Sequence, residues 1–122
     1  MVELNELGAT QIAKLVASKK VSATEVVGSC IARVEAREKE VGVFEHFDAE
    51  YALKQAKDLD AGPIKGILHG VPLGIKDIID TCDMPTCNGS KIHHGRRPTL
   101  DASCVALSRS AGGIILGKTV TT

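Results

Sequence analysis

The feature that most constrains the fold is a pair of apolar segments separated by a helical pattern. Period-two alternation with β-branched residues predicts a strand over residues 71–79, and the wholly apolar run 114–116 predicts another. Between them, Asp101 is expected to cap a helix that stops at Gly112-Gly113, after a loop-like stretch over 81–100. A strand, a helix and a strand in this order predict a βαβ unit, with two parallel strands joined by a right-handed crossover.

A βαβ unit alone cannot bury the apolar faces of its strands and needs further helices or strands to do so. Wholly apolar parallel strands are normally covered on both faces, and a two-stranded parallel sheet is too small to be stable alone. The chain has 122 residues, 43% of them hydrophobic, so it has the apolar content for a core. We therefore expect residues 1–122 to be the N-terminal fragment of one larger α/β domain. Residues 1–60 would form a helical layer, and residues 61–122 would form the start of the central sheet.

The first 60 residues carry the signals of amphipathic helices. Thr10 is predicted to cap a first helix, and Ser22-Ala-Thr-Glu25 has the capping-box pattern that begins a second one. A third helix is predicted to begin at Asp48 and to end at Gly62-Pro63. No pattern in this half indicates chemistry, so it is interpreted as structural.

Charge and composition exclude several classes of protein. The formal net charge is zero, from 15 basic and 15 acidic residues, which argues against global disorder and against nucleic acid as a partner. No apolar run approaches the ~20 residues that a membrane span requires. The N-terminus lacks the pattern of a secretory signal, so the prediction is a cytoplasmic protein with reduced cysteines.

One stretch matches the phosphate-binding P-loop pattern by letters alone. Residues 112–119 begin with Gly and end with Gly-Lys-Thr, and a nucleotide-binding protein would use Lys118 to hold ATP or GTP. We reject this hypothesis because the interior of the pattern is the predicted strand 114–116, whereas a phosphate loop must expose its backbone amides.

The loop over 81–100 contains residues that could bind a metal. Cys82 and Cys87 are followed by His93 and His94, but their spacing is looser than that of a structural zinc pair. Free thiols are the better interpretation. Asn88-Gly89-Ser90 is interpreted as a tight turn rather than a glycosylation site.

Lys76 is the residue that most needs explanation, because it lies within a predicted apolar strand. From spacing alone, the preferred interpretation is that such a lysine extends to solvent or pairs with a carboxylate such as Asp77. The adjacent Asp77 should point to the opposite face of the strand, however, so it is poorly placed to neutralise Lys76. Other groups are therefore expected to surround the ammonium. A lysine buried in this way can act as a base near neutral pH.

This part of the sequence resembles the opening block of the amidase signature family. The resemblance is dense over residues 63–122 and looser over 22–34. It is carried by Leu68-His-Gly-Val-Pro-Leu-Gly-Ile-Lys76-Asp77-Ile-Ile-Asp, Asp83-Met-Pro-Thr86, Asn88-Gly-Ser90, Arg96-Arg97-Pro98, Asp101-Ala102 and Ala111-Gly112 through Gly117-Lys118-Thr119.

The resemblance implies a large α/β enzyme, with a mixed central sheet covered by helices, that hydrolyses carboxylic amides. The family uses a Ser–cis-Ser–Lys triad, and its lysine corresponds to Lys76. The resemblance also implies that both serines lie beyond Thr122, that no metal or organic cofactor is needed, and that the substrate is a small-molecule amide. It is compatible with a homodimer. On this basis the 122-residue chain alone is expected to be inactive.

The subgroup within the family is a separate question. Val120 stands where the A-subunits of tRNA-dependent amidotransferases commonly have Asn, and the segments 84–86 and 96–98 resemble general amidases. A free-standing amidase is therefore the main hypothesis. The A-subunit of a tRNA-dependent amidotransferase and a non-catalytic, amidase-like binding or assembly module are the alternatives.

Overall fold

Four α-helices and three β-strands make up the computed structural model, which describes residues 2–121. The elements are α1 Ala9–Ala17, α2 Ala23–Val41, β1 Phe44–Phe47, α3 Ala49–Asp60, β2 Pro72–Lys76, α4 Ser103–Ser110 and β3 Ile114–Thr119. Short 3₁₀ helices span Leu4–Glu6 and Lys91–His93. The expected mixed α/β class is confirmed.

Two of the predicted helix starts are confirmed in detail. The Ser22 hydroxyl accepts from the Glu25 amide at 3.0 Å, and the Ser22 amide donates to the Glu25 carboxylate at 2.7 Å. This reciprocal pair satisfies two amides at the start of α2 that have no partner within the helix. The Asp48 carboxylate likewise accepts from the Tyr51 amide and caps α3.

Two other predicted caps are wrong. The first helix begins with Gly8 as its cap residue, so Thr10 already lies within α1. The last helix is preceded by Ala102, which makes no side-chain cap bond. The Asp101 carboxylate instead accepts from the Cys82 amide at 2.8 Å, because the loop beneath the helix offers it a long-range partner.

The sheet has three strands in the order β1-β3-β2. The predicted parallel pairing of the last two strands is confirmed, whereas β1 adds an antiparallel edge that the sequence patterns do not predict. The first 60 residues thus contain a strand as well as helices. The predicted strand over 71–79 is shorter, and the predicted strand at 114–116 extends to Thr119.

A one-residue bulge interrupts the pairing of β2 with β3. The register shifts between Leu73 and Gly74, which leaves Leu116 without a partner on β2. An extra residue reverses the alternation of side chains along a strand. Ile115 and Lys118, three positions apart, consequently lie on the same face of the sheet.

Helices and a loop cover both faces of β3. On one face, α2 and α3 pack against two strand residues through the cluster Ala23, Val27, Ile31, Ala52, Ala56, Leu59, Ile114 and Leu116. On the other, Ile115 packs with Met84 of the loop and Val105 of α4. A third cluster joins α1 to α2 and to the residue before β2, and it comprises Ile12, Val16, Val26 and Val71. The expectation that this chain leaves the apolar faces of the βαβ unit uncovered is therefore wrong for β3, because helices and a loop of the same chain cover it.

Gly117 lets β1 approach β3 closely. A Cβ atom at this position would lie 2.5 Å from the His46 carbonyl oxygen and 2.9 Å from the ring of Phe44. Neither neighbour can move without disturbing the antiparallel pairing, so only glycine fits here.

None of the helices between residues 2 and 121 is long and apolar enough to cross a bilayer. The longest, α2, has 19 residues and carries charged side chains over much of its exposed surface.

His69, in the turn before β2, should make stability depend on pH. Its side chain is buried and its Nδ1 accepts from the Lys65 amide at 3.1 Å. Burial lowers the pKa of His69 below its usual 6.5, against the opposing attraction of Asp60. The unfolded chain therefore binds the proton more readily, so the free energy of unfolding should fall as the pH drops below about 6.5.

The test compares denaturant unfolding of the wild type and His69→Asn between about pH 7 and pH 5. Asparagine keeps an acceptor near the Nδ1 position but does not titrate. The wild type should lose more stability than the variant over this range. If the free energy of unfolding depends on pH in the same way in both proteins, His69 is not the cause of the loss.

Candidate functional site

Lys76 is the last residue of β2, and its side chain is exposed among the described residues. It stands opposite Thr119 in the parallel register. Among residues 2–121, no side chain forms a hydrogen bond or an ion pair with its ammonium, so the expectation that other groups surround it stays a prediction. The lysine lies at a strand end that opens to solvent.

Asp77 turns away from Lys76, as the alternation of strand side chains predicts. Its side chain is 1% exposed, and its two carboxylate oxygens each lie 3.2 Å from the Cys87 amide that donates to them. The Nζ of Lys118 lies 3.8 Å from its Oδ1. Asp77 is thus paired with Lys118 of the neighbouring strand, β3.

Lys118 is completely buried, and its ammonium is held by the loop that follows β2. Nζ donates to the Thr86 hydroxyl at 2.6 Å, to the Thr81 hydroxyl at 3.2 Å and to the Pro85 carbonyl at 3.2 Å. An ammonium has three N–H donors, so these three acceptors account for all of them, and the carboxylate of Asp77 adds an ion pair at 3.8 Å. Burial lowers the pKa of Lys118, and the attraction of Asp77 opposes that effect.

The two threonines are oriented to accept from this ammonium. The Thr81 hydroxyl donates its own hydrogen to the Met84 carbonyl, and the Thr86 hydroxyl donates to the Ile79 carbonyl. Each oxygen therefore keeps a lone pair for Lys118.

The placement of Lys118 also bears on the phosphate-loop pattern. Residues 114–119 form β3, and the lysine points into the protein, so it cannot hold a phosphate at the surface. The rejection of nucleotide binding is supported by this geometry. Sequence reasoning missed the actual role of Lys118, although a lysine that continues a wholly apolar strand was a signal of burial.

A second polar cluster lies around Arg109 of α4. Its guanidinium lies 2.7 Å from the Asp83 carboxylate and 3.0 Å from that of Asp101. The Tyr51 hydroxyl donates to Asp83 at 2.6 Å, and burial together with this hydrogen bond raises the pKa of Tyr51 to about 12. The cluster ties α3, the loop and α4 together.

Three side chains in this cluster have potential metal ligands near one another. The ligand atoms of Cys82, Asp83 and Asp101 lie within 4.8 Å of each other. Arg109 already pairs with both carboxylates, so its guanidinium offsets one of their two negative charges without a metal ion. The other candidates from the sequence lie outside this group: Cys87 is buried, and His93 and His94 are exposed. The cysteines are free thiols, as the sequence predicts.

Comparisons with known proteins agree with this fold. The amidase family model matches residues 25–122. The A-subunit of glutamyl-tRNA(Gln) amidotransferase from Solidesulfovibrio magneticus is 44% identical over 120 residues, which is 97% of this chain and 25% of that protein. The putative amidase AmiD from Mycobacterium tuberculosis is 36% identical over 119 residues, covering 94% of this chain and 25% of that protein. The structure of a peptide amidase from Stenotrophomonas maltophilia superposes with a TM-score of 0.84 at 30% identity, over 93% of this chain and 24% of that one.

The mixed sheet covered by helices is the fold that this chain shares with the solved peptide amidase. The chain belongs to the amidase signature family. It spans about a quarter of the length of the curated relatives it matches.

Proposed function

We propose that this chain contributes the general base, Lys76, to an enzyme that hydrolyses carboxylic amides. The observation that carries the proposal is the position of Lys76 at the open end of β2, in a chain that belongs to the amidase signature family. Its own strand does not supply a carboxylate partner, because Asp77 faces Lys118. The amine is therefore available to a group outside β2.

In the proposed mechanism, the neutral amine of Lys76 takes a proton from a bridging serine. That serine takes the proton of a nucleophilic serine, whose oxygen attacks the amide carbonyl and forms a C–O bond. The C–N bond then breaks, the amine leaves with a proton, and water hydrolyses the acyl-enzyme. The resemblance places both serines downstream of the Gly117-Lys118-Thr119 block.

The relatives favour two versions of this function. A free-standing amidase, active on a small-molecule amide, agrees with the likeness to the putative amidase and to the peptide amidase. One component of an amidotransferase with several subunits agrees with the higher identity, 44%, to a protein named as such a component. We propose the first as the main function, with cytoplasmic location, no nucleic acid as partner, and a homodimer as its assembly.

The deciding experiment assays the complete protein, the product of the whole reading frame, with a panel of simple amides and with glutamine. Ammonia release from simple amides, together with labelling by a fluorophosphonate probe, is expected for a free-standing amidase. Glutamine hydrolysis that requires co-purified proteins would instead identify a component of an amidotransferase. Absence of both labelling and turnover would contradict the enzyme and support a non-catalytic module.

A further inference from the structure

The buried contacts of Lys118 join the beginning and the end of the segment that follows Lys76. Nζ lies against Asp77, the first residue after β2, and bonds to Thr86 near the end of the segment. The Cys87 amide closes the same segment by donating to Asp77. The Lys118 ammonium and the Asp77 carboxylate thus hold residues 77–87 as one compact loop.

This loop is attached to Lys76 through the backbone. The Asp77 amide donates to the Thr119 carbonyl at 2.9 Å, so the residues directly after Lys76 and Lys118 are bonded to each other. Ile75 stands opposite Lys118 in the parallel register. Lys118 is anchored on one face of the sheet, and the alternation of β2 places Lys76 on the other.

The bulge in β3 is what brings Lys118 to this position. Without the extra residue Leu116, the strand alternation would place Lys118 on the opposite face, where α2 and α3 pack. A bulge that redirects a side chain is frequent beside active sites. Here the bulge directs the Lys118 ammonium into the protein interior, near the end of β2 where Lys76 lies.

We propose that Lys118 and Asp77, with Thr86, are positioning residues that fix the end of β2 and thereby orient Lys76. This inference rests on the proposed function of Lys76. Stability alone is a weak reason for such a pair, because well-packed apolar residues often replace a buried ion pair at no cost. The pair instead fixes the backbone conformation at Lys76. A displacement of about 1 Å can slow a reaction by roughly 10²-fold.

The test uses Thr86→Val in the complete protein, which removes the shortest contact to the ammonium and nearly preserves side-chain shape. We expect kcat to fall by about 10–100-fold with KM changed less than about twofold, and the midpoint of the pH–rate profile to move. Thr86→Ser restores the hydroxyl and should restore kcat to within about threefold. The matched control is Thr99→Val at an exposed position, which should behave as the wild type.

A folded Thr86→Val protein with the kcat and pH profile of Thr99→Val would overturn the inference. So would equal losses in Thr86→Val and Thr86→Ser. If Thr86→Val does not fold, Thr81→Val, which removes the longer hydroxyl contact, decides by the same criteria. Lys76→Ala is measured in parallel: normal turnover in that variant would refute the proposed function, whereas a large loss there with normal Thr86→Val kinetics would refute only the positioning role.

Discussion

Replacing Lys76 by alanine should lower amide turnover of the complete protein by about 10⁴–10⁶-fold, the loss typical for removal of one member of a catalytic triad. The reason is that the bridging serine would have no group to accept its proton. Lys76 is exposed at the end of β2, so truncating its side chain leaves the sheet contacts intact. The loss should therefore appear in kcat, with thermal unfolding unchanged.

The matched control for this prediction is Lys57→Ala, which removes another exposed lysine, from α3. Steady-state kinetics and thermal unfolding of both variants decide the outcome. If Lys76→Ala keeps turnover near that of Lys57→Ala, Lys76 has no part in the chemistry. A large loss of stability in Lys76→Ala would instead assign the residue a structural role.

Lys118→Met should lower the free energy of unfolding by about 3–5 kcal/mol, which is typical when one member of a buried ion pair is removed. Methionine fills much of the space of the lysine stem, but it leaves Asp77 charged, buried and without its cation. The hydroxyls of Thr81 and Thr86 would also lose the donor that they share. Denaturant unfolding of the complete protein measures the effect.

Lys57→Met provides the control, since an exposed lysine should tolerate this change within about 0.5 kcal/mol. The double variant Asp77→Asn/Lys118→Met removes both charges, so it should recover part of the loss. A double-mutant cycle gives the coupling free energy between Asp77 and Lys118 directly. A Lys118→Met protein as stable as Lys57→Met would show that the interior charge contributes nothing to the fold.

Local signals in the sequence were sufficient for much of the fold. The capping box at Ser22 and the cap at Asp48 are correct because both involve contacts within three residues. The parallel pairing of β2 with β3 also follows from the order of the predicted elements. In contrast, β1 has only four residues and pairs with residues 117–119, far along the chain, so no local pattern reveals it.

The candidate site was predictable only in part. The face taken by Asp77 followed from strand alternation, whereas its partner Lys118 did not, because the bulge that redirects Lys118 depends on pairing between distant strands. The end of β2 at Lys76 was missed for a related reason. An apolar neighbourhood in the sequence extends past the point where the chain leaves the sheet.

The strand order has a consequence for folding during synthesis. The central strand, β3, is the last of the three along the chain, and both edge strands pair with it. Neither β1 nor β2 can find its partner before residue 119 has left the ribosome, although α2 and α3 are already complete at residue 60. The helices α2 and α3, which pack against each other, can therefore form before either of these strand pairs does.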